Sequence, residues 1–533
     1  MTTAGWLLWG AITIGSVLPM PTAASQPRRP PVPPPARTLP QEEPAAREFQ
    51  GEDHLRRLYD QILDARFEEA DAERPRACGP APPEACDVLA ATALWWRILL
   101  DRESPALDDE FTAAVTQAIE ASEAWTEREP DDPEAWFYLG GAYAARVQWR
   151  VLRGEKLSAA RDGKRIKQAM ERAIELDPTL QDAYFGLGMY KYYADVAPAA
   201  AKMLRFLLLL PGGDRREGLR DMLRARASGR LLQGEADYQL HIIYLWYERQ
   251  TGRAIELLTG LRDRYPGNPL FAADIAQVQD TYLHDITASL ASWRRLLEAA
   301  RDHRVNGAEI AEVQARRGIA HQLEAMHETD RAIQQLEAVI ASKAEAPYGS
   351  VSLAWLRLGK AHDRLGARSE ALTAYRTAAL SAPEGDPHGV RDEVSERLRR
   401  APDAKRAEAY RLALEGWRHF EENRFDAAAA ALEGSLELNG ADPVARYRYG
   451  RILIARKQEQ AALLQLEASI RAARSCPPPI LGMAYVEAAR LHERAARRAD
   501  AIAYYKTATT LFGAAIETRT TASRALTRLT SRR

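Results

Sequence analysis

Few residues of this 533-residue chain have the types and spacings that chemistry needs. Cys78 and Cys86 bracket the loop GPAPPEA, whose prolines favour a tight closed turn. A disulfide between them and a pair of separate thiols both stay open at this point, and Cys476 has no obvious partner. There is no CxxC and no Cys/His group at ligand spacing, which argues against a structural zinc site. The ten histidines are scattered, and His321 and His327 are too far apart to share a metal on one helix face. Acidic pairs carry no information in a chain with 74 acidic residues. The signatures G-x4-G-K-[ST], G-x-S-x-G and H-E-x-x-H do not occur. Gly212, Gly213 and Gly218 follow an apolar helix and read as its stop rather than as a dinucleotide loop. No catalytic residue, metal or cofactor is expected. Catalysis would need a buried titratable cluster that spacing cannot show.

Charge is informative only locally. A net charge of −1 gives no general attraction to nucleic acid or anionic lipid. Asp101 to Glu134 carries 12 acidic residues against two basic, whereas Arg146 to Arg172 carries nine basic against three acidic. The two runs are expected to complement each other within the fold or to face solvent. An alternative makes Arg146, Arg150 and Arg153 the start of an anion-attracting face for a small molecule or glycan.

The elements that position these residues are helices. Ala, Leu, Glu and Arg dominate beyond Leu39, and no stretch alternates apolar and polar residues for long. Ser352–Pro383 shows the unit: Trp355, Leu358, Gly359 and His362 on one helix, a turn, then Ala371, Tyr375 and Ala378 before Pro383. Small residues at Gly359 and Ala371 let two antiparallel helices approach, with Tyr375 between them. This stretch resembles the tetratricopeptide repeat, W-x2-L-G-x2-Y, A-x3-F and a closing Pro, with His at the Tyr position. Trp136, Leu139, Gly140 and Tyr143 repeat the first half unmodified. Gly416 and Gly450 are 34 residues apart, as adjacent repeats require. PGGDRREGL and RYPGNPLF in the central part also resemble the tetratricopeptide 39 family, whose members are linked to organelle membranes and inclusion handling.

The expected fold is therefore an all-α superhelix of stacked hairpins with an N-terminal helical cap and a hinge near residues 383–409. Residues 1–24 read as a signal peptide, because Trp6–Leu18 is too short to span a bilayer comfortably and small residues follow at Thr22–Ala24. The alternative is an uncleaved anchor with a cytosolic body, since no Lys or Arg precedes the run and Arg28 and Arg29 follow it. Residues 25–47 form a Pro-rich linker. Residues 48–128 form the helical cap, 129–300 a repeat array with a basic insert, and 301–533 a second array. The Leu139-Gly140 and Leu187-Gly188 pairs are 48 residues apart, an excess that marks the insert and interrupts the second helix of that repeat.

The resemblance implies that the first helix of each pair lines a concave face, mainly at repeat positions two, five, nine and twelve. With the repeat glycine at position eight, this selects Phe137, Phe185, Met189, Tyr192, Lys360, Trp417, Phe420 and Arg451, with Tyr193 beside them. Rings flanked by cations hold an extended peptide by burial and cation–π contact. The clamp that some tetratricopeptide domains use for a chaperone's terminal carboxylate needs Asn on first helices, and the four Asn here fall in predicted loops. The reading is an exported, non-catalytic scaffold for a protein or peptide in the bacterial cell envelope, touching a membrane only through an uncleaved N-terminal segment.

Overall fold

In the computed structural model, residues 47–197 and 212–531 are described. The signal segment, the Pro-rich tract before Arg47 and the apolar stretch Ala199–Leu210 lie outside them. The described residues contain twenty-four α-helices and no strand. Many helices open where the sequence signals it. Asp132, Asn268 and Asp442 each accept a backbone N–H of the first turn, and each precedes a Pro at the first helical position. Asp214 accepts from the N–H groups of Arg216 and Glu217, the stop-and-restart read from PGGD.

Among the described residues from Pro133 onward, eighteen helices pair into nine hairpins, with Val390–Arg399 as an extra helix and Ile516–Ser531 closing the array. Gly359 shows why the unit needs a small residue: a Cβ there would lie 2.6 Å from the Tyr375 ring. The insert does not loop out. It lengthens both helices of its hairpin, Pro133–Leu152 and Lys156–Leu176, to 20 and 21 residues, and the second helix is continuous. The acidic and basic runs face each other through Arg153–Asp108 (2.7 Å), Arg165–Glu123 (3.1 Å) and Arg172–Asp131 (3.1 Å).

The N-terminal segment does more than cap an end. The helix Pro83–Leu100 is apolar almost all round, with Trp95, Trp96 and ten other residues buried, so it must be covered on every side. It and Glu52–Leu63 lie along the first helices of successive hairpins. Phe49 packs on Phe137 (5.0 Å), and Gln50 N–H donates to Glu134 (3.2 Å). Tyr59 OH donates to Glu235 (3.2 Å), and Asn268 donates to the Leu63 carbonyl (2.7 Å). Trp96 meets Tyr238 and Phe271, Gln314 donates to the Leu100 carbonyl, and Tyr348 N–H donates to Asp101. Glu134 and Phe137 are repeat positions two and five, so the chain fills its own concave face here.

The second array is likewise partly filled. The extra residues after Pro383 contain a helix, Val390–Arg399, whose Val390 and Val394 pack with Leu356 and Tyr375. Beyond it the array turns back on the middle of the chain. The Thr329 and Tyr410 hydroxyls are 2.7 Å apart, and Arg448 donates to the His327 carbonyl (2.7 Å). Met326 joins the core of Val444, Tyr447 and Ile480, and Phe512 meets His284.

Candidate partner-binding groove

Self-filling removes several predicted contact residues from the surface. Phe137, Phe185 and Tyr192 are buried at 4, 7 and 0 % exposure, because the inner positions of the first hairpins face protein. Tyr192 OH donates to Glu248 (2.7 Å), and its ring stands edge-on to Tyr193 and Tyr247. Burial pushes the Tyr193 hydroxyl well above its usual pKa. Met189 is half-buried against the same core. Lys360 is accessible but donates to Glu393 (2.6 Å) on the helix Val390–Arg399.

The guanidinium groups proposed for anions are occupied. Arg146 makes two bonds to Asp162 (2.8 and 2.9 Å), and Arg150 bonds the same carboxylate. Arg153 takes both oxygens of Asp108 (2.7 and 2.8 Å) and the carbonyls of Arg102 and Ser104 (2.7 Å each). A guanidinium already forked onto carboxylate has little to offer an incoming anion. This overturns the sequence-based anion face: acids inside the insert and in the facing run neutralise it. Cys78 and Cys86 are joined by a disulfide with Cα atoms 6.0 Å apart, which ties the end of the helix Phe67–Ala77 to the start of Pro83–Leu100.

Trp417, Phe420 and Arg451 do come together. The helix Ala404–Glu421 stacks Trp417 on Phe420 at 4.9 Å and 22°, and Phe425 tilts against Phe420 at 5.8 Å. Arg448 lies over Trp417 (5.4 Å) and Arg451 over Phe420 (5.8 Å). Arg451 also donates to Tyr447 OH (3.1 Å). Trp417, Phe420 and Arg451 are only half-buried, so two stacked rings and a cation remain available. Sequence reasoning missed Arg448 and Phe425. Arg448 lies one helical turn before Arg451, a signal that was present in the sequence.

One buried titratable cluster exists between the N-terminal helices and the array. Arg102 lies 3.7 Å from Asp274 and donates to Tyr238 OH (2.9 Å), at a cavity of about 40 Å³ also lined by Trp95, Gln148 and His241. Burial pushes Asp274 up to about 6, against the field of Arg102, and drops His241 to about 3. The lining holds no Ser, Thr, Cys or Lys to act as a nucleophile. A space of this size holds a few waters. No group of His, Cys, Asp and Glu among the described residues is arranged to hold a metal.

Paired antiparallel helices stacked in one direction define the class as an α-hairpin solenoid. Residues 419–482 match the family model described as tetratricopeptide repeat. That match lies within the second array, and the α-hairpins on either side of it follow the same helix–turn–helix plan. Similar solved structures include a tetratricopeptide repeat protein from Parabacteroides merdae, at 15 % identity over 56 % of this chain and 98 % of that one (TM-score 0.26). Another is the TPR2AB domain of yeast Sti1 in a complex with pHSP90, at 14 % identity over 56 % of this chain and 96 % of that one (TM-score 0.20). No curated protein matches the chain.

Proposed function

We propose that the protein is a non-catalytic scaffold that holds an extended peptide of a partner protein against Trp417, Phe420 and Arg451. The observation that carries this reading is the half-exposed stack of Trp417 on Phe420 at inner repeat positions, flanked by Arg448 and Arg451. Stacked rings lose little conformational entropy on binding, and the cations add attraction over the ring faces. The scaffold acts after export, in the bacterial cell envelope. The Cys78–Cys86 disulfide supports that setting, since such bonds persist in oxidising compartments. Cleavage near residue 24 separates the exported form from an anchored assembly factor, and N-terminal sequencing of the cell-derived protein reads it directly. For the groove, a displayed random-peptide library is selected on the wild type and on Trp417→Ala/Phe420→Ala, with circular dichroism checking that both fold. Peptides enriched on the wild type should be lost on the variant. Identical enrichment on both proteins removes the groove from the proposal.

A further inference from the structure

Two arginines in the middle of the array lack what every arginine of the insert's anion face has. No carboxylate pairs with the guanidinium of Arg317 or Arg357 among the described residues. Arg317 stands on the helix Ala308–Ala325 and Arg357 on Ser350–Leu365. Arg317 Nη1 donates to Ser350 Oγ (2.7 Å), while its Nε is buried with no partner. Arg357 Nη1 donates to the Arg317 backbone carbonyl (3.1 Å), and its charge acts on the Arg317 guanidinium. Burial, then the field of Arg357, pulls the Arg317 guanidinium down to about 9. His388 meets the Tyr348 carbonyl at 3.2 Å and is held down to about 4 by burial and by the fields of both arginines. The helix Ser350–Leu365 opens here behind Gly349 with no side-chain cap, and its end adds partial positive charge.

The neighbouring carboxylates are committed elsewhere. Asp101 accepts the Tyr348 N–H (2.9 and 3.0 Å), and Glu393 takes Lys360 (2.6 Å) and Arg397 (3.2 Å). Asp280 faces His321 (3.4 Å), and Asp386 accepts the N–H groups of Val390 and Arg391 (2.9 and 2.8 Å). Glu103 is exposed to solvent. Two desolvated like charges and an orphaned N–H are costly to hold together with nothing between them. The donors come from two helices and a loop rather than from one plane. That suits a tetrahedral acceptor better than a planar one, and a guanidinium fork fits the oxygens of such an anion.

We propose that Arg317 and Arg357, with the buried Ser350 and the neighbouring His388, form a binding site for a small tetrahedral oxyanion of the phosphate or sulfate class. The site is distinct from the Trp417 stack and from the neutralised insert. The test is equilibrium dialysis of the full chain against inorganic phosphate at pH 7, with ionic strength fixed by chloride, paired with thermal melts. The wild type should bind one phosphate per chain, and its Tm should rise by about 2–5 °C and then level off as the site fills. Arg317→Gln/Arg357→Gln should bind at least tenfold more weakly and lose the saturable rise. In phosphate-free buffer Arg357→Gln alone should melt no lower than the wild type, because it removes a like charge. If the double variant does not fold, Arg357→Lys, which keeps the charge without the fork, should weaken binding several-fold. Equal binding by wild type and variants, or a rise that never saturates, is a general salt effect and overturns the site.

Discussion

Trp96 offers the sharpest test of the self-filled concave face. Its side chain is 0 % exposed and touches Tyr238 and Phe271, residues of two different hairpins, at ring distances of 5.0 and 6.0 Å. Truncation to Ala empties a site that two neighbouring hairpins cannot both collapse into. The expected loss is about 3–5 kcal/mol, toward the upper end because two ring–ring contacts go with it. Trp96→Phe, which keeps a ring, should lose less than half as much. Urea unfolding measures the total, and hydrogen exchange locates it. Protection should fall in Gln233–Trp246 and Pro269–Thr281 and stay unchanged in Pro443–Ala455 and Pro478–Arg494, since hairpins couple to neighbours. A loss under about 1 kcal/mol, or protection falling equally at the far end, would refute the idea that this helix is the inner core of the first array.

Asp274 predicts a pH dependence. Its folded value of about 6 lies above that of an unfolded aspartate, so between pH 4 and 6 the folded state holds a proton that the unfolded state has lost. Stability should therefore fall by roughly 2 kcal/mol as pH rises through that window and level off above pH 7, relative to Asp274→Asn measured in parallel urea titrations. Arg153→Ala removes the donor to the Arg102 and Ser104 carbonyls and leaves Asp108 with Trp149 Nε1 alone. It should cost roughly 2 kcal/mol in urea while leaving phosphate binding by dialysis untouched. Gly416→Ala places a Cβ 1.8 Å from Leu432 Cδ2 and should lower stability by about 1–3 kcal/mol. Gly260→Ala, with nothing within 4 Å, should raise stability by about 0.5–1 kcal/mol. Thermal melts of the two glycine variants moving in the same direction would contradict the packing described.

The hairpin unit was legible because its determinants are local: Gly359 and Tyr375 lie 16 residues apart and meet within one turn-linked pair. The Asp-Pro and Asn-Pro helix starts were readable for the same reason. Trp417, Phe420 and Arg451 came together because adjacent hairpins repeat one geometry. Phe185 and Tyr192 were misplaced on the groove because repeat positions say which way a side chain points, not what covers it. For Tyr192 that cover is Tyr247 and Glu248 of the next hairpin, and for Phe137 it is Phe49 from the N-terminal segment, neither of which the local spacing encodes. Arg153 looked like an anion ligand for a related reason: Asp108 sits 45 positions earlier in the chain, on a helix whose docking the charge pattern alone did not specify.

An ordinary solenoid can gain or lose a unit with little penalty, since each module meets only its neighbours. Here two helices, Glu52–Leu63 and Pro83–Leu100, run along the bore as a divided rod, and contacts between Phe49 and Asp101 key them to several different modules. Deleting or duplicating one module in that stretch would throw every later match out of register, like washers added to a bolt of set length. Variation in module number should therefore be confined to the part of the chain beyond the rod's reach.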